Sequence, residues 1–148
     1  MRLAASLMET GVDISQLYHR ALVNRSYEAF RLWGAGLSRM QQQDGIVWTA
    51  LTLADREEVH YPGRDDADLV NILAAVDGAE IAIIFLEQSN GRVKVSWRAQ
   101  PGLDVSQLAM RFGGGGHAAA AGAEIQGSLS EVQTAILEQT HPLLSLGG

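Results

Sequence analysis

Four consecutive glycines, Gly113, Gly114, Gly115 and Gly116, followed by His117 and four alanines, constrain this chain more than any other stretch. Glycine inside a helix or strand loses about 0.5–1 kcal/mol relative to alanine. Propensity therefore does not account for four in a row. A run without Cβ atoms offers bare backbone that a ligand can approach closely, and consecutive N–H groups turned into a concavity bind anions. Alanine is the best helix former. The sequence thus predicts a helix after the loop, with its positive N-terminal end adding to the cradle. His117 at the junction brings a side-chain donor. Phosphate is the ligand such a loop suits. The competing reading is purely local: Gly113 ends the preceding helix as its C′ residue, and the other glycines form a turn.

Composition narrows the partners. The chain has 148 residues, the size of one domain or of one domain with an appendage, and is 47% hydrophobic, enough for a core. It has no cysteine, which excludes disulfides, thiolate metal sites and a cysteine nucleophile. Seventeen acidic residues outweigh eleven basic ones, for a formal charge of −6. A general nucleic-acid surface is basic, so any phosphate recognition must be local. No apolar run approaches the ~18 residues of a membrane span. No signal-peptide pattern opens the chain, and the expected location is the cytoplasm.

Along the chain, Ile14, Leu17, Tyr18, Ala21 and Leu22 share one helical face behind an Asp13 cap. A break at Asn24-Arg25-Ser26 precedes a helix from about Tyr27 to Met40. Gln41 to Gly45 reads as a polar linker ending in a turn signal. Ile46 to Leu53 reads as a strand, Tyr61 to Asp66 as a turn, and Leu69 to Val76 as a helix stopped by Asp77-Gly78. Asp65, Asp66 and Asp68 are expected to cap that helix. Ala79 to Glu87 is apolar throughout its middle, as a strand covered on both faces is. Ser89-Asn90-Gly91 signals a hairpin. Asp104, with Gln107 as capping-box partner, starts a short helix whose buried stripe is Val105, Leu108, Ala109 and Phe112. Ala123 to Ile125 is a short strand. Ser128 and Glu131 open a last helix to about Gln139, beyond which the end is expected to be frayed. The whole reads as an α/β fold, a mixed β-sheet of about five strands flanked by helices.

The strand Arg92-Val93-Lys94-Val95-Ser96-Trp97-Arg98 alternates strictly. Val93, Val95 and Trp97 take one face; Arg92, Lys94, Ser96 and Arg98 take the other. Ser96 and Arg98 are both anion donors, and arginine grips phosphate bidentately. Lys94 shares the face but reads equally well as a solvated charge. His117 reads as a phosphate donor and not as a metal ligand, because no partner stands at ligand spacing. Trp33, Trp48 and Trp97 read as core.

This order resembles the DHH-associated domain that closes proteins of the DHH phosphoesterase superfamily. The motifs that carry the likeness are an apolar strand, a hairpin, Lys94-Val95-Ser96-Trp97-Arg98, Asp104-Val105-Ser106, then Phe112 through His117 and Ala120-Ala121-Gly122. The nearest type is the nanoRNase/pAp-phosphatase, once labelled exopolyphosphatase-related. The resemblance covers roughly Ile46 to Gln139. It implies residues 1–45 as the helical tail of a catalytic domain with its linker, 46–140 as the substrate-binding domain, and 141–148 as the frayed C-terminus. It further implies that Ser96, Arg98, Gly113, Gly114, Gly115, Gly116 and His117 hold a substrate phosphate. The catalytic half of that family carries an Asp-His-His triplet and two Mn²⁺ ions, and this chain has no such triplet. By itself it is expected to bind nucleotide or short RNA weakly and to hydrolyse nothing, with Mn²⁺ belonging to a partner DHH catalytic domain. It departs from the family at Ala99-Gln100, where Ser-Lys is common, and at Ala118, where a longer residue is common. Two other readings stand beside this one. One is an RNA-binding module like that closing alanyl-tRNA synthetases; the other is a structural domain forming a homodimer.

Overall fold

The computed structural model describes residues 14–15 and 24–147. The Asp13 cap and the apolar face beginning at Ile14 lie outside those residues, apart from Ile14 itself. Helix α1 (Tyr27–Leu37) starts where the Ser26 hydroxyl accepts the Ala29 amide at 3.0 Å, and ends three residues short of Met40. The stretch expected as a linker is instead an edge strand, β1 (Gln41–Gln43), antiparallel to β2 (Ile46–Leu51). Asp44 and Gly45 make its tight turn, both at positive φ (51° and 87°), as a two-residue hairpin of this type requires. Three exposed glutamines suit a sheet edge because they tolerate water beside an unpaired backbone.

A parallel crossover from β2 to β3 (Ile81–Glu87) runs through α2 (Leu53–Val59) and α3 (Leu69–Leu73). Thr52 and Asp55 form a reciprocal capping box at α2. The hairpin at Ser89 to Gly91 leads into β4 (Arg92–Ala99), antiparallel to β3. Then follow α4 (Ser106–Arg111), β5 (Gly115–His117), β6 (Ala120–Gln126) and α5 (Leu129–Gly147). Asp104, expected as the cap of α4, lies one residue before its N-cap, Val105, which makes no side-chain capping bond; the Asp104 carboxylate accepts the Ser106 amide at 2.9 Å. The six strands lie in the order β1-β2-β3-β4-β6-β5.

Two expectations are corrected here. The alanines after His117 do not start a helix. Ala120 to Ala123 belong to β6 and pair with β4, and Ala120 to Gly122 pair on the other side with β5. Ala121 and Ala123 are buried beneath α4 and α5, so packing overrides alanine's helix preference. The helix expected to end at about Gln139 runs further: α5 continues to Gly147 through Pro142. Leu143 and Leu144 pack on the core there, and Thr140 is fully buried. The Thr140 hydroxyl donates to the Ile136 carbonyl at 2.7 Å and accepts from the Trp97 indole at 3.2 Å.

Each sheet face has its own core. On one, Trp48, Ile83, Phe85, Val95, Trp97 and Ala121 meet Leu108 of α4 and Ile136 of α5. On the other, Val47, Leu51, Ile84 and Leu86 meet Leu32 of α1, Val59 of α2, and Leu69 and Leu73 of α3. Full burial of each such side chain stabilises by about 1.5–3 kcal/mol. The second core takes strand residues from β2 and β3 alone. Among the described residues, no such core covers the matching face of β4, β6 and β5.

Candidate functional site

That half-face is where the residues singled out from the sequence come together. Arg98 pairs with Ala120, and Ala120 pairs with His117. Ser96 pairs with Gly122, and Gly122 pairs with Gly115. Paired residues share a face, so two parallel rows cross three strands: Arg98-Ala120-His117 and Ser96-Gly122-Gly115. Neighbouring strands lie ~4.8 Å apart, which puts the Arg98 and His117 backbones about 10 Å from each other. Between them the floor carries a methyl and two hydrogens. A third row, Lys94 opposite Glu124, continues the shelf. There Gln88, Lys94, Gly114, Gly122, Ala123 and Glu124 line a cavity of about 430 Å³.

The four glycines divide into separate jobs. Gly113 has φ 82°; its amide donates to the Met110 carbonyl at 3.1 Å, and the Gly114 amide donates to the Ala109 carbonyl at 2.9 Å. This pair of bonds is the Schellman cap that ends α4. The local reading of Gly113 therefore holds, and these two amides bond within the chain. Gly114 and Gly116 are required by close approach. A Cβ on Gly114 would lie 2.0 Å from the Gly122 oxygen, and one on Gly116 would lie 2.5 Å from the Ala120 oxygen. Gly115 differs: nothing lies within 4 Å of where its Cβ would be, and its φ is not positive. Folding does not ask for glycine at 115. The strand that carries it, β5, ends the sheet, so one edge of its backbone has no strand partner.

Arg98 is half-buried and held in place. Its Nε donates to the Asn71 side-chain oxygen at 3.0 Å, and its Nη1 donates to the Trp97 carbonyl at 3.0 Å. Among the described residues no carboxylate pairs with it within 4 Å. Three of its five N–H donors remain. His117 is exposed beyond it. The Tyr61 to Asp68 loop comes near enough to the shelf for the Lys94 charge to act on Asp65. Its Tyr61 hydroxyl donates to Asp65 and, against some burial, holds that carboxyl below its usual range; the Arg56 and Lys94 charges add to this. Burial and that same bond push the Tyr61 hydroxyl up to about 12. Among the described residues no three His, Asp or Glu side chains are placed to hold a metal ion. No helix among them is long and apolar enough to cross a membrane.

Sequence reasoning brought Ser96, Arg98, Gly115 and His117 to one surface, and the register unites them. It missed Asn71, which lies 27 residues before its partner, and the roles of Ala120 and Gly122 as floor.

The fold is an α/β domain, a mixed six-stranded sheet flanked by helices. Residues 60–141 match the DHHA1 domain, and the chain belongs to that family. It is 32% identical, over its whole length, to 44% of the bifunctional oligoribonuclease and PAP phosphatase NrnA of Thermus thermophilus. It is 27% identical, over 83% of its length, to 38% of the Mycoplasma genitalium protein of the same name. An exopolyphosphatase-related protein from Bacteroides fragilis superposes with a TM-score of 0.83 and 26% identity, over 96% of this chain and 43% of that one. A pGpG-specific phosphodiesterase from Vibrio cholerae shares the fold, at a TM-score of 0.51 and 15% identity over 81% of this chain and 38% of that one. The chain thus spans less than half the length of these relatives.

Proposed function

We propose that this chain is the substrate-holding domain of a phosphoesterase acting on short oligoribonucleotides, pAp or cyclic dinucleotides. The observation that carries the reading is the convergence of Arg98, Ser96 and His117 on a floor stripped of side chains at Gly115 and Gly122. Arg98 supplies the charge, Ser96 and His117 supply further donors, and the missing side chains let a phosphate settle against the backbone. A charge-assisted hydrogen bond contributes about 1.5–3 kcal/mol, so two or three of them hold a mononucleotide at modest affinity. The relatives named as acting on oligoribonucleotides and PAP support this substrate class.

In this reading the domain binds and orients one phosphate while a separate Mn²⁺-bearing catalytic unit supplies the activated water. Titrating pAp into the chain, followed by amide NMR and calorimetry, tests the idea. Shifts are expected at Gly115, Gly116 and His117, together with a loss of at least tenfold in affinity in Arg98→Ala. Wild-type affinity in Arg98→Ala, or no response on the shelf, refutes it.

A further inference from the structure

We infer that Asn71 is a positioning residue for the Arg98 guanidinium, holding it ready for phosphate without neutralising it; this rests on the reading of Arg98 given above. A free arginine side chain carries about 2 kcal/mol of rotamer entropy, part of which must be lost each time it grips a ligand. Here two bonds fix it in advance, from Nε to Asn71 and from Nη1 to the Trp97 carbonyl, each at 3.0 Å. The choice of a neutral amide matters. A carboxylate at 71 would bind Nε more strongly, but it would cancel the charge that attracts phosphate.

The surrounding fold is built to hold Asn71 steady. It sits on α3, a five-residue helix too short to be stable alone. Leu69, Val70 and Leu73 anchor the buried side of that helix. Its entry is tied down at several points. The Asp66 carboxylate accepts the Asp68 and Val70 amides at 3.1 and 2.9 Å, and the Trp33 indole donates to the Ala67 carbonyl at 2.9 Å. Buried Arg56 donates to the Gly63 and Arg64 carbonyls, both at 2.8 Å. Ala67 and Asp68 are held at φ 51° and 64°, a conformation non-glycine residues adopt only under such constraint. Asn71 is exposed on the outward side of the helix, and the side-chain bond it makes is to Arg98.

Two substitutions separate holding from charge. Asn71→Ala frees the guanidinium and leaves its charge; pAp Kd is expected to rise roughly 3- to 10-fold, the scale of immobilising one long side chain. The Arg98 Nε–H resonance should then lose its protection from water exchange, while the salt dependence of Kd stays as in wild type. Asn71→Asp keeps the Nε–H resonance protected, yet it should raise Kd by at least as much and flatten the salt dependence. Circular dichroism checks that both variants fold. If Asn71→Ala binds pAp within twofold of wild type with the Nε–H still protected, the inference is overturned while the shelf stands. If Arg98→Ala itself leaves Kd unchanged, the shelf reading falls and takes this one with it.

Discussion

Gly115→Ala, set beside Gly114→Ala, separates glycines kept for the fold from a glycine kept for a ligand. At Gly114 the added methyl would lie 2.0 Å from the Gly122 oxygen and 2.7 Å from the Ala123 Cα, backbone against backbone. Neither strand can yield without breaking the β5–β6 pairing or the cap of α4. The cost is that of overpacking, typically about 1–3 kcal/mol and sometimes more. At Gly115 the methyl enters open space. Alanine there removes glycine's disadvantage in a strand, so stability should hold or rise by about 0.5–1 kcal/mol. For a domain of this size that is a gain of about 1–4 °C in Tm. The same methyl stands ~1.5 Å proud of the backbone, in the row with Ser96 and Gly122. A phosphate lifted by that distance loses at least one charge-assisted bond, about 1.5–3 kcal/mol, which is roughly 10- to 150-fold in Kd. Calorimetric melts paired with pAp titrations read both quantities. A Gly115→Ala protein that melts like wild type and binds pAp like wild type would refute a ligand role for this glycine. One that melts as low as Gly114→Ala would refute the contact geometry itself.

Other outcomes follow from the packing and the titrating groups. Thr140→Val removes the acceptor of the buried Trp97 indole N–H; leaving that donor unpaired should cost about 1–3 kcal/mol, read as a lower urea midpoint at unchanged m-value. Asp66→Ala removes the carboxylate that accepts the Asp68 and Val70 amides and should cost about 1 kcal/mol in the same assay. Tyr61, raised to about 12 by burial and its bond to Asp65, is neutral in the folded protein where the unfolded chain would begin to ionise near pH 10. Its contribution to stability is therefore complete below pH 10 and is lost as pH rises through 12. Tyrosinate absorbance should show one late-titrating phenol, absent in Tyr61→Phe; a Tyr61 that ionises near 10 would contradict the bond to Asp65.

Local signals in the sequence carry far in this protein. Strict alternation from Arg92 to Arg98 placed Ser96 and Arg98 on one face, because side chains on a strand can only alternate. Ser128 announced a helix start because its hydroxyl satisfies the amide three residues on. The apolar run through Ile81 to Leu86 meant a strand covered on both sides, and both cores meet on it. The motif order from Lys94 to Gly122 already pointed to the family. What remained undecided is what depends on distant neighbours. Alanine fits a helix and fits equally beneath crossing helices in a sheet; only packing against α4 and α5 made Ala120 to Ala123 a strand. Identical glycines at 113 to 116 became a cap, two close contacts and one bare floor position through atoms of Met110, Ala109 and the returning strand. Asn71 reaches Arg98 across a crossover, and no periodicity reports that pairing. Sequence specified the donors and the faces they occupy, since those follow from short-range geometry. Tertiary structure alone decided which face was left uncovered and which backbone stayed bare, since both are set by what packs elsewhere.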